Sequence, residues 1–420
     1  MGVDAAVLGL GYVGLPLSRV MSSAGLAVVG FDVDSQVVAA LNAGRSHVMD
    51  VPDSDLVGML STGFQATGEE SAIGEADTAI ICVPTPLADG YGPDLQAVVA
   101  AAGAVGRHLR PGMLVVLEST TYPGTTDEVI RPILEDASGL RAGVDFHLAF
   151  SPERIDPGNE RFNPGNTPKV VGGYAPGCTE RAAEFYQRFV TTVVRTTGTR
   201  EAEVAKLLEN TYRHVNIALV NEMARLCFEL GINLWEAIRA ASSKPFGFQP
   251  FFPGPGVGGH CIPIDPNYLN HSVRTKLGYP SRFVELAHEI NATMPAYVAA
   301  RAQGILNDAG RAIKGSDVLL LGITYKPNVA DQRESPAVPL ARHLHTLGAR
   351  IAYHDPYVAD WQIPGVDVVR AADLDSAVEV ADLVILVQNH RQYDGDALAA
   401  RARKFFDTRG ATTSAAAVRL

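Results

Sequence analysis

The segment AAVLGLG (residues 5–11) is an apolar run that ends on paired glycines and passes directly into helical spacing. The next apolar run, AVVGFDVD (residues 27–34), ends on acids. Strand-length runs recur at Thr78–Val83, Leu114–Glu118 and Leu148–Phe150, separated by amphipathic stretches. Strands that repeat in this way need crossovers, and helical crossovers cover the faces of a parallel sheet. The rhythm holds to about residue 200.

The pattern then changes. Residues 201–230 read as one long helix, with apolar positions three and four apart, stopped at Gly231. A Gly/Pro-rich stretch occupies Pro250–Pro266, and strand rhythm returns near residue 316 with DVLLLGI, ARIAYHDP, VDVVRA and ADLVILVQN. A chain of 420 residues is too long for one core. The expected fold class is α/β, with two Rossmann-like doubly wound domains joined by a central long helix in a helical domain. Expected boundaries are 1–200, 201–300 and 301–420. The residues after Arg409, GATTSAAAVRL, read as a frayed tail.

Gly9-Leu10-Gly11-Tyr12-Val13-Gly14 follows a strand and opens a helix. In that context the first glycine permits the tight turn. The second lets a pyrophosphate approach the backbone, and the third lets helix and strand pack closely. Asp32 lies 18 residues past Gly14, at the end of the next strand. A carboxylate there accepts bonds from a ribose and repels a 2′-phosphate, so the expected cofactor is NAD.

A formal net charge of −11 argues against a nucleic-acid partner, which needs a concentrated cationic surface. It leaves room for a phosphorylated small molecule. The four cysteines, Cys82, Cys178, Cys227 and Cys261, show no C-x-x-C pairing, so neither disulfides nor a metal site is expected. No leader pattern or membrane-length apolar run is present, and the expectation is a cytoplasmic chain with no membrane partner.

Cys82 and Cys227 lie in apolar patterns and read as packing residues, whereas Cys178 follows Pro-Gly at a helix start and reads as incidental. Cys261 sits in GVGGHCIPIDP, on backbone that can approach a ligand, with Asp265 four residues on. It is either a structural thiol or a nucleophile. His260 beside it reads as structural or substrate-lining. Lys206 and Asn210 share a helix face, with Arg213 and His214 a turn further on; that stripe is either a solvated face or the wall of a cleft. The segments 118–125 (ESTTYPGT) and 151–158 (SPERIDPG) follow strand ends, where open α/β sheets place their chemistry, although turn residues alone account for either.

Taken in order, GLGYVGLPL, the Thr85-containing VPTP, EST..PGTT, SPER..PGN, AKLLENTY, GPGVGGHCIPIDP and YKPNVADQRESPA resemble the UDP-glucose/GDP-mannose dehydrogenase family over nearly the whole chain. The resemblance implies a homodimer with an N-terminal NAD domain, a central helix and a C-terminal domain closing over a nucleotide sugar. It implies oxidation of a sugar C6 alcohol to a carboxylate through an aldehyde, with Cys261 forming a thiohemiacetal and then a thioester. By the same resemblance Lys206 and Asn210 stabilise the oxyanion, while Asp265, Thr120 and Glu153 position and activate water. Gly9, Gly11, Tyr12, Val13, Gly14, Asp32, Thr85 and Thr120 would contact NAD. Lys326 and Arg333 would be the C-terminal cations across the interdomain cleft, Arg333 also reaching the cofactor. Glu153, Arg154, Lys206, Asn210, Phe252, Gly254 and Gly258 would complete the substrate site.

Ile264 stands where the UDP-glucose branch tends to carry Lys, and SSKPFGFQPFFPGPGVGGHCIPIDP resembles the branch acting on UDP-N-acetylhexosamines, UDP-N-acetylglucosamine above all. Asn328, Val329 and Ala330 depart from the charged residues expected before Asp331. Two other readings compete: a two-electron hydroxyacid-type dehydrogenase, which needs no cysteine, and a non-catalytic NAD-binding member of the family.

Overall fold

The computed structural model describes residues 2–86, 92–154, 159, 161–259, 262 and 264–420. Two compact units emerge. The first comprises residues 1–209 and 267–279, the second 210–266 and 280–420.

The first unit is built on eight strands: β1 (Val3–Leu8), β2 (Val28–Phe31), β3 (Gln65–Thr67), β4 (Ala76–Ile81), β5 (Leu114–Leu117), β6 (His147–Phe150), β7 (Lys169–Gly173) and β8 (Val193–Arg195). Their order is β3-β2-β1-β4-β5-β6-β7-β8. Ala5–Leu8, Ala79–Ile81 and Leu114–Leu117 are wholly buried, which is why these strands read as unbroken apolar runs and not as alternating ones. All pairings are parallel except β6 with β7. Among the described residues of 151–168 there is no crossover helix, and an antiparallel neighbour needs none.

The second unit carries β9 (Asp317–Leu321), β10 (Arg350–His354), β11 (Val368–Arg370), β12 (Leu383–Leu386), β13 (Phe405–Asp407) and β14 (Ala417–Arg419). They form a parallel sheet in the order β11-β10-β9-β12-β13-β14. Both sheets thus contain the doubly wound order in which the chain reverses direction beside its first strand, the place where such sheets bind ligands. The expected α/β class with two such sheets and a long helix holds.

The long helix spans Thr199–Glu229, close to the expected 201–230, and runs from the first unit into the second. The C-terminus differs from expectation. Residues 417–419 are an edge strand paired with β13, Leu420 is buried, and the Trp235 indole donates to the Leu420 carbonyl at 2.9 Å. Ala-rich sequence carries little strand signal of its own, and pairing supplies the rest. Cys82, Cys178 and Cys227 are buried and unpaired. Cys178 is a packed side chain and not an incidental one; an added Cβ on Gly173 would meet its Cβ at 2.7 Å. Among the described residues no helix is long and apolar enough to cross a membrane.

The two sheets share a latch at the end of their first strand. Gly9, at φ +90°, donates to the Phe31 carbonyl at 2.9 Å; Gly322, at φ +74°, donates to the His354 carbonyl at 2.9 Å. The next residue in each case donates to an acid that follows the second strand: Leu10 to Asp32 at 2.9 Å, Ile323 to Asp355 at 2.8 Å. The other oxygen of each acid accepts the N–H two residues on, from Asp34 and from Tyr357.

Candidate active site

In the first unit the glycine turn is closed where packing demands it and open where a ligand would lie. An added Cβ on Gly14 would sit 1.9 Å from the Gly9 carbonyl oxygen, so only glycine lets the helix Gly14–Ser23 start there. At Gly11 nothing lies within 4 Å of such an atom. Tyr12 is exposed and Val13 half-buried at the helix N-terminus, whose N–H groups favour a pyrophosphate. Asp32 is half-buried beside the turn, and Thr85 is buried four residues past β4, its carbonyl accepting the Tyr268 hydroxyl. These residues fit a dinucleotide.

The same unit gathers Thr120, Glu153 and Lys206. Lys206, buried on the long helix, donates to Thr120 Oγ1 at 2.5 Å and lies 3.5 Å from Glu153 Oε2. Burial pushes the Glu153 carboxyl up, while the Lys206 and Lys169 ammoniums pull it back. Of the polar stripe, Lys206 and His214 are buried, Asn210 is half-buried and Arg213 is exposed. Arg154 ties the end of β6 to the long helix, through a 2.6 Å pair with Glu209 and a bond to the Pro168 carbonyl.

Behind this cluster stand residues that sequence reasoning missed. Glu203, one turn before Lys206, accepts from Gly124 N at 2.6 Å and from Thr126 N and Oγ1 at 2.9 and 2.7 Å. It thereby fastens the Thr120–Thr126 loop to the helix that carries Lys206, and burial pushes its carboxyl up to about 7. Lys169 pairs with buried Glu118 at 2.7 Å, and Tyr186 donates to the same carboxylate. The signal available was the acid that opens ESTT and the second acid of EAEVAK, but each resembled ordinary helix and strand polarity.

In the second unit Asn210 Nδ2 donates to buried Asp265 Oδ2 at 2.6 Å. Cys261 and His260 lie outside the described residues, as do Ile155–Gly158 in the SPER segment. The chain on either side of them is described. Gly254 N donates to Asn221 Oδ1 at 3.0 Å, and Gly259 N to the Arg333 carbonyl at 3.3 Å. An added Cβ on Gly258 would lie 2.5 Å from the Glu334 carbonyl oxygen, which leaves glycine as the residue that fits against the 325–336 loop. Phe252 is stacked on Trp235 at 5.8 Å.

On the 325–336 loop, Lys326 is half-buried and Arg333 pairs with Asp331 at 2.6 Å. Of the expected helix-face residues, Arg213 is exposed, whereas His214 is buried beside Asn291, its ring pushed down to about 4 by burial. A further cation went unseen in the sequence. Half-buried Arg409 donates from Nε to the Val387 carbonyl at 2.7 Å, and its Nη1 would lie 2.8 Å from a Cβ on Gly254. Burial pushes it down to about 10. The signal was a lone arginine in DTRG after a strand, indistinguishable from a turn.

Comparison with known proteins agrees with this arrangement. Residues 3–190 match the NAD-binding domain of the UDP-glucose/GDP-mannose dehydrogenase family, 200–293 its central domain and 319–414 its UDP-binding domain. The chain is 36% identical to a UDP-N-acetyl-D-mannosamine dehydrogenase of Pyrococcus horikoshii, over 92% of this chain and 90% of that one. It is also 36% identical to a UDP-N-acetyl-D-glucosamine 6-dehydrogenase of Pseudomonas aeruginosa, over 85% and 83%. A solved structure of a UDP-D-ManNAc dehydrogenase from Pyrococcus horikoshii superposes with a TM-score of 0.89 at 34% identity, covering 98% of this chain and 96% of that one. With an NAD turn at one end, a UDP-binding domain at the other and relatives of this closeness between, the chain belongs to the UDP-glucose/GDP-mannose dehydrogenase family, whose members are NAD-dependent nucleotide-sugar dehydrogenases.

Proposed function

We propose that this enzyme oxidises the C6 alcohol of a UDP-N-acetylhexosamine, UDP-N-acetylglucosamine in the first instance, to the carboxylate by a four-electron reaction through Cys261. The observation that carries the reading is Lys206. It is a buried ammonium bonded to Thr120 and facing Glu153, one turn along the same helix from the Asn210 that holds Asp265.

NAD, bound at the glycine turn, serves as the hydride acceptor in both oxidations. The chain's residues do the rest. The Lys206 ammonium stabilises the alkoxide as the alcohol loses its proton, and Glu153, held partly toward its neutral form by burial, takes protons through water positioned by Thr120. The Cys261 thiolate adds to the aldehyde carbon, giving a thiohemiacetal whose oxidation leaves a thioester. Water oriented at Asp265 then adds to the thioester carbon, and the carbon–sulfur bond breaks to release the carboxylate and the thiol. In sum, one alcohol, one water and two NAD give one carboxylate, two NADH and three protons.

The division of labour follows residues 1–200 for the cofactor, 201–300 for the cysteine loop and dimer contacts, and 301–420 for the nucleotide. Lys326 and half-buried Arg409 serve the UDP phosphates, while Phe252, Gly254 and Gly258 line the sugar end. Along the long helix Leu208, Tyr212, Leu219, Met223 and Leu226 are exposed at helical spacing, an apolar stripe that supports a homodimer. The unpaired cysteines support a reducing, cytoplasmic setting.

NADH formed per sugar consumed tests the reaction. A ratio near two that collapses in Cys261→Ser is expected; a ratio of one, or an unaffected variant, overturns it. The sugar is tested separately, by comparing kcat/KM across UDP-N-acetylglucosamine, UDP-N-acetylmannosamine, UDP-glucose and GDP-mannose. UDP-N-acetylmannosamine is the second reading, favoured by the equally identical relative of that specificity. Its dominance in the panel would replace the sugar and leave the reaction standing.

A further inference from the structure

In the first unit Asp32 closes the latch and stays half-buried beside the turn. In the second unit the corresponding Asp355 is covered. His390, four residues past the end of β12, places Nε2 3.0 Å from Asp355 Oδ2, and both side chains are 0% exposed. The ring's other nitrogen, Nδ1, lies 2.9 Å from the backbone N of Asn328, which can only donate. Nδ1 must therefore present its lone pair and Nε2 the proton, so Asp355 fixes the ring in that tautomer. Tyr357 and Tyr393 pack on the ring at 5.0 and 5.6 Å and keep it from turning.

Asn328 is an unusual place to hold. It and Glu334 are the non-glycine residues with positive φ among the described residues, at +65° and +51°; they enclose residues 329–333, with Lys326 two positions before the first. Such conformations cost free energy and persist only where the surroundings impose them. Here the imposition is a double grip from the segment after β12. His390 takes the Asn328 N–H, and Arg391 N donates to Asn328 Oδ1 at 2.8 Å. Gln388 Nε2 donates to the Tyr325 carbonyl at 2.9 Å and secures the other side of Lys326.

We propose that His390, oriented by Asp355, is a positioning residue for nucleotide-sugar binding. It converts the carboxylate that the first sheet leaves beside its ligand turn into a clamp that fixes the 325–334 loop and hence Lys326. In the Asn-Val-Ala that stands before Asp331 in place of the expected charged residues, Asn328 is gripped through its backbone N–H and its amide oxygen. This rests on the reading of the loop as part of the UDP site.

The test is calorimetric titration of UDP into the full-length protein, with thermal melting and KM for NAD measured alongside. His390→Leu removes the acceptor and is expected to weaken UDP about tenfold, the worth of one hydrogen bond and some lost order. His390→Asn returns an amide oxygen near the place of Nδ1 and is expected to recover most of that loss. Asn328→Gly keeps the N–H and the left-handed turn but loses the Arg391 tether, and should weaken UDP by a smaller factor. KM for NAD stays at the wild-type value in all three. A folded His390→Leu that binds UDP normally overturns the proposal, as does an equal loss in His390→Leu and His390→Asn. Where His390→Leu does not fold, Asn328→Gly decides, and wild-type UDP affinity in it is the adverse result. Lys326→Ala separates the two claims: unchanged UDP binding there sinks both, whereas a loss there with none in the His390 variants sinks only the positioning role.

Discussion

The two sheets begin alike and end in opposite uses. Each turns off its first strand at a left-handed glycine and latches the next N–H to an acid after the second strand. Past that point, one turn continues through Gly11 and Gly14 into a helix and leaves its surface open, while the other continues through Tyr325 and Lys326 into a loop held by buried side chains. On the function proposed above, the same backbone frame supports a site that works by exposing N–H groups and one that works by presenting cations. Fixing a long cationic side chain adds a rotamer cost to that of the backbone beneath it, which interior support offsets.

The sharpest break in this comparison is expected from crossed glycine substitutions. Gly14→Val forces a collision with the Gly9 carbonyl and should reduce NAD affinity by about a hundredfold or more while UDP still binds. Gly322→Val, whose Cβ would meet the Gln388 carbonyl oxygen at 2.2 Å, should do the reverse. Calorimetry with each ligand reads both, and loss of both ligands in either variant would show that the two frames are not separate.

The acids come next. Asp355→Asn disturbs a buried pair and should cost about 2–4 kcal/mol in chemical denaturation. Asp32→Asn should leave stability nearly unchanged but raise KM for NAD several-fold and narrow the preference over NADP. Equal destabilisation by the two substitutions would contradict the different roles assigned to them.

The last contrast is a difference in pH response, which is small near neutral pH and grows only toward the extremes. His214, in the second unit, has its pKa lowered from 6.5 to about 4, so the neutral ring is favoured by folding. Its contribution is present above pH 6.5 and lost as pH falls toward 4, by up to roughly 3 kcal/mol. Glu203, in the first unit, has its carboxyl raised from 4.5 to about 7, so its contribution is present below pH 4.5 and lost as pH rises through 7. Melting curves of His214→Gln should be less sensitive to acid than those of the parent, and those of Glu203→Gln less sensitive to base. The same slope in parent and variant would remove that residue from the account.

Much of this was legible in the sequence, and for local reasons. Strand runs, the glycine spacing and the long helix carry their periodicity in consecutive residues, and Lys206 with Asn210 needs only the helical repeat to share a face. What stayed hidden depends on partners distant in the chain. The strand at 417–419 exists through β13, and Arg409 is a site candidate because Gly254 lies against it. Asp355 looks like turn chemistry until His390, 35 residues later, is placed on it. Glu203 looked like one more helix acid until Gly124 and Thr126, 79 and 77 residues earlier, were seen to donate to it.

The segment bearing Cys261 has both of its described feet on one helix. Gly254 is bound by Asn221 and Asp265 by Asn210, and these asparagines lie eleven residues apart on the Thr199–Glu229 rod, a separation of about 16 Å along its axis. The rod therefore carries both feet, while Gly258 and Gly259 between them rest on the 325–336 loop. A graft of the corresponding stretch from a relative of different sugar preference is expected to alter selectivity only with Asn210, Asn221, Gly254, Gly258, Gly259 and Asp265 all retained.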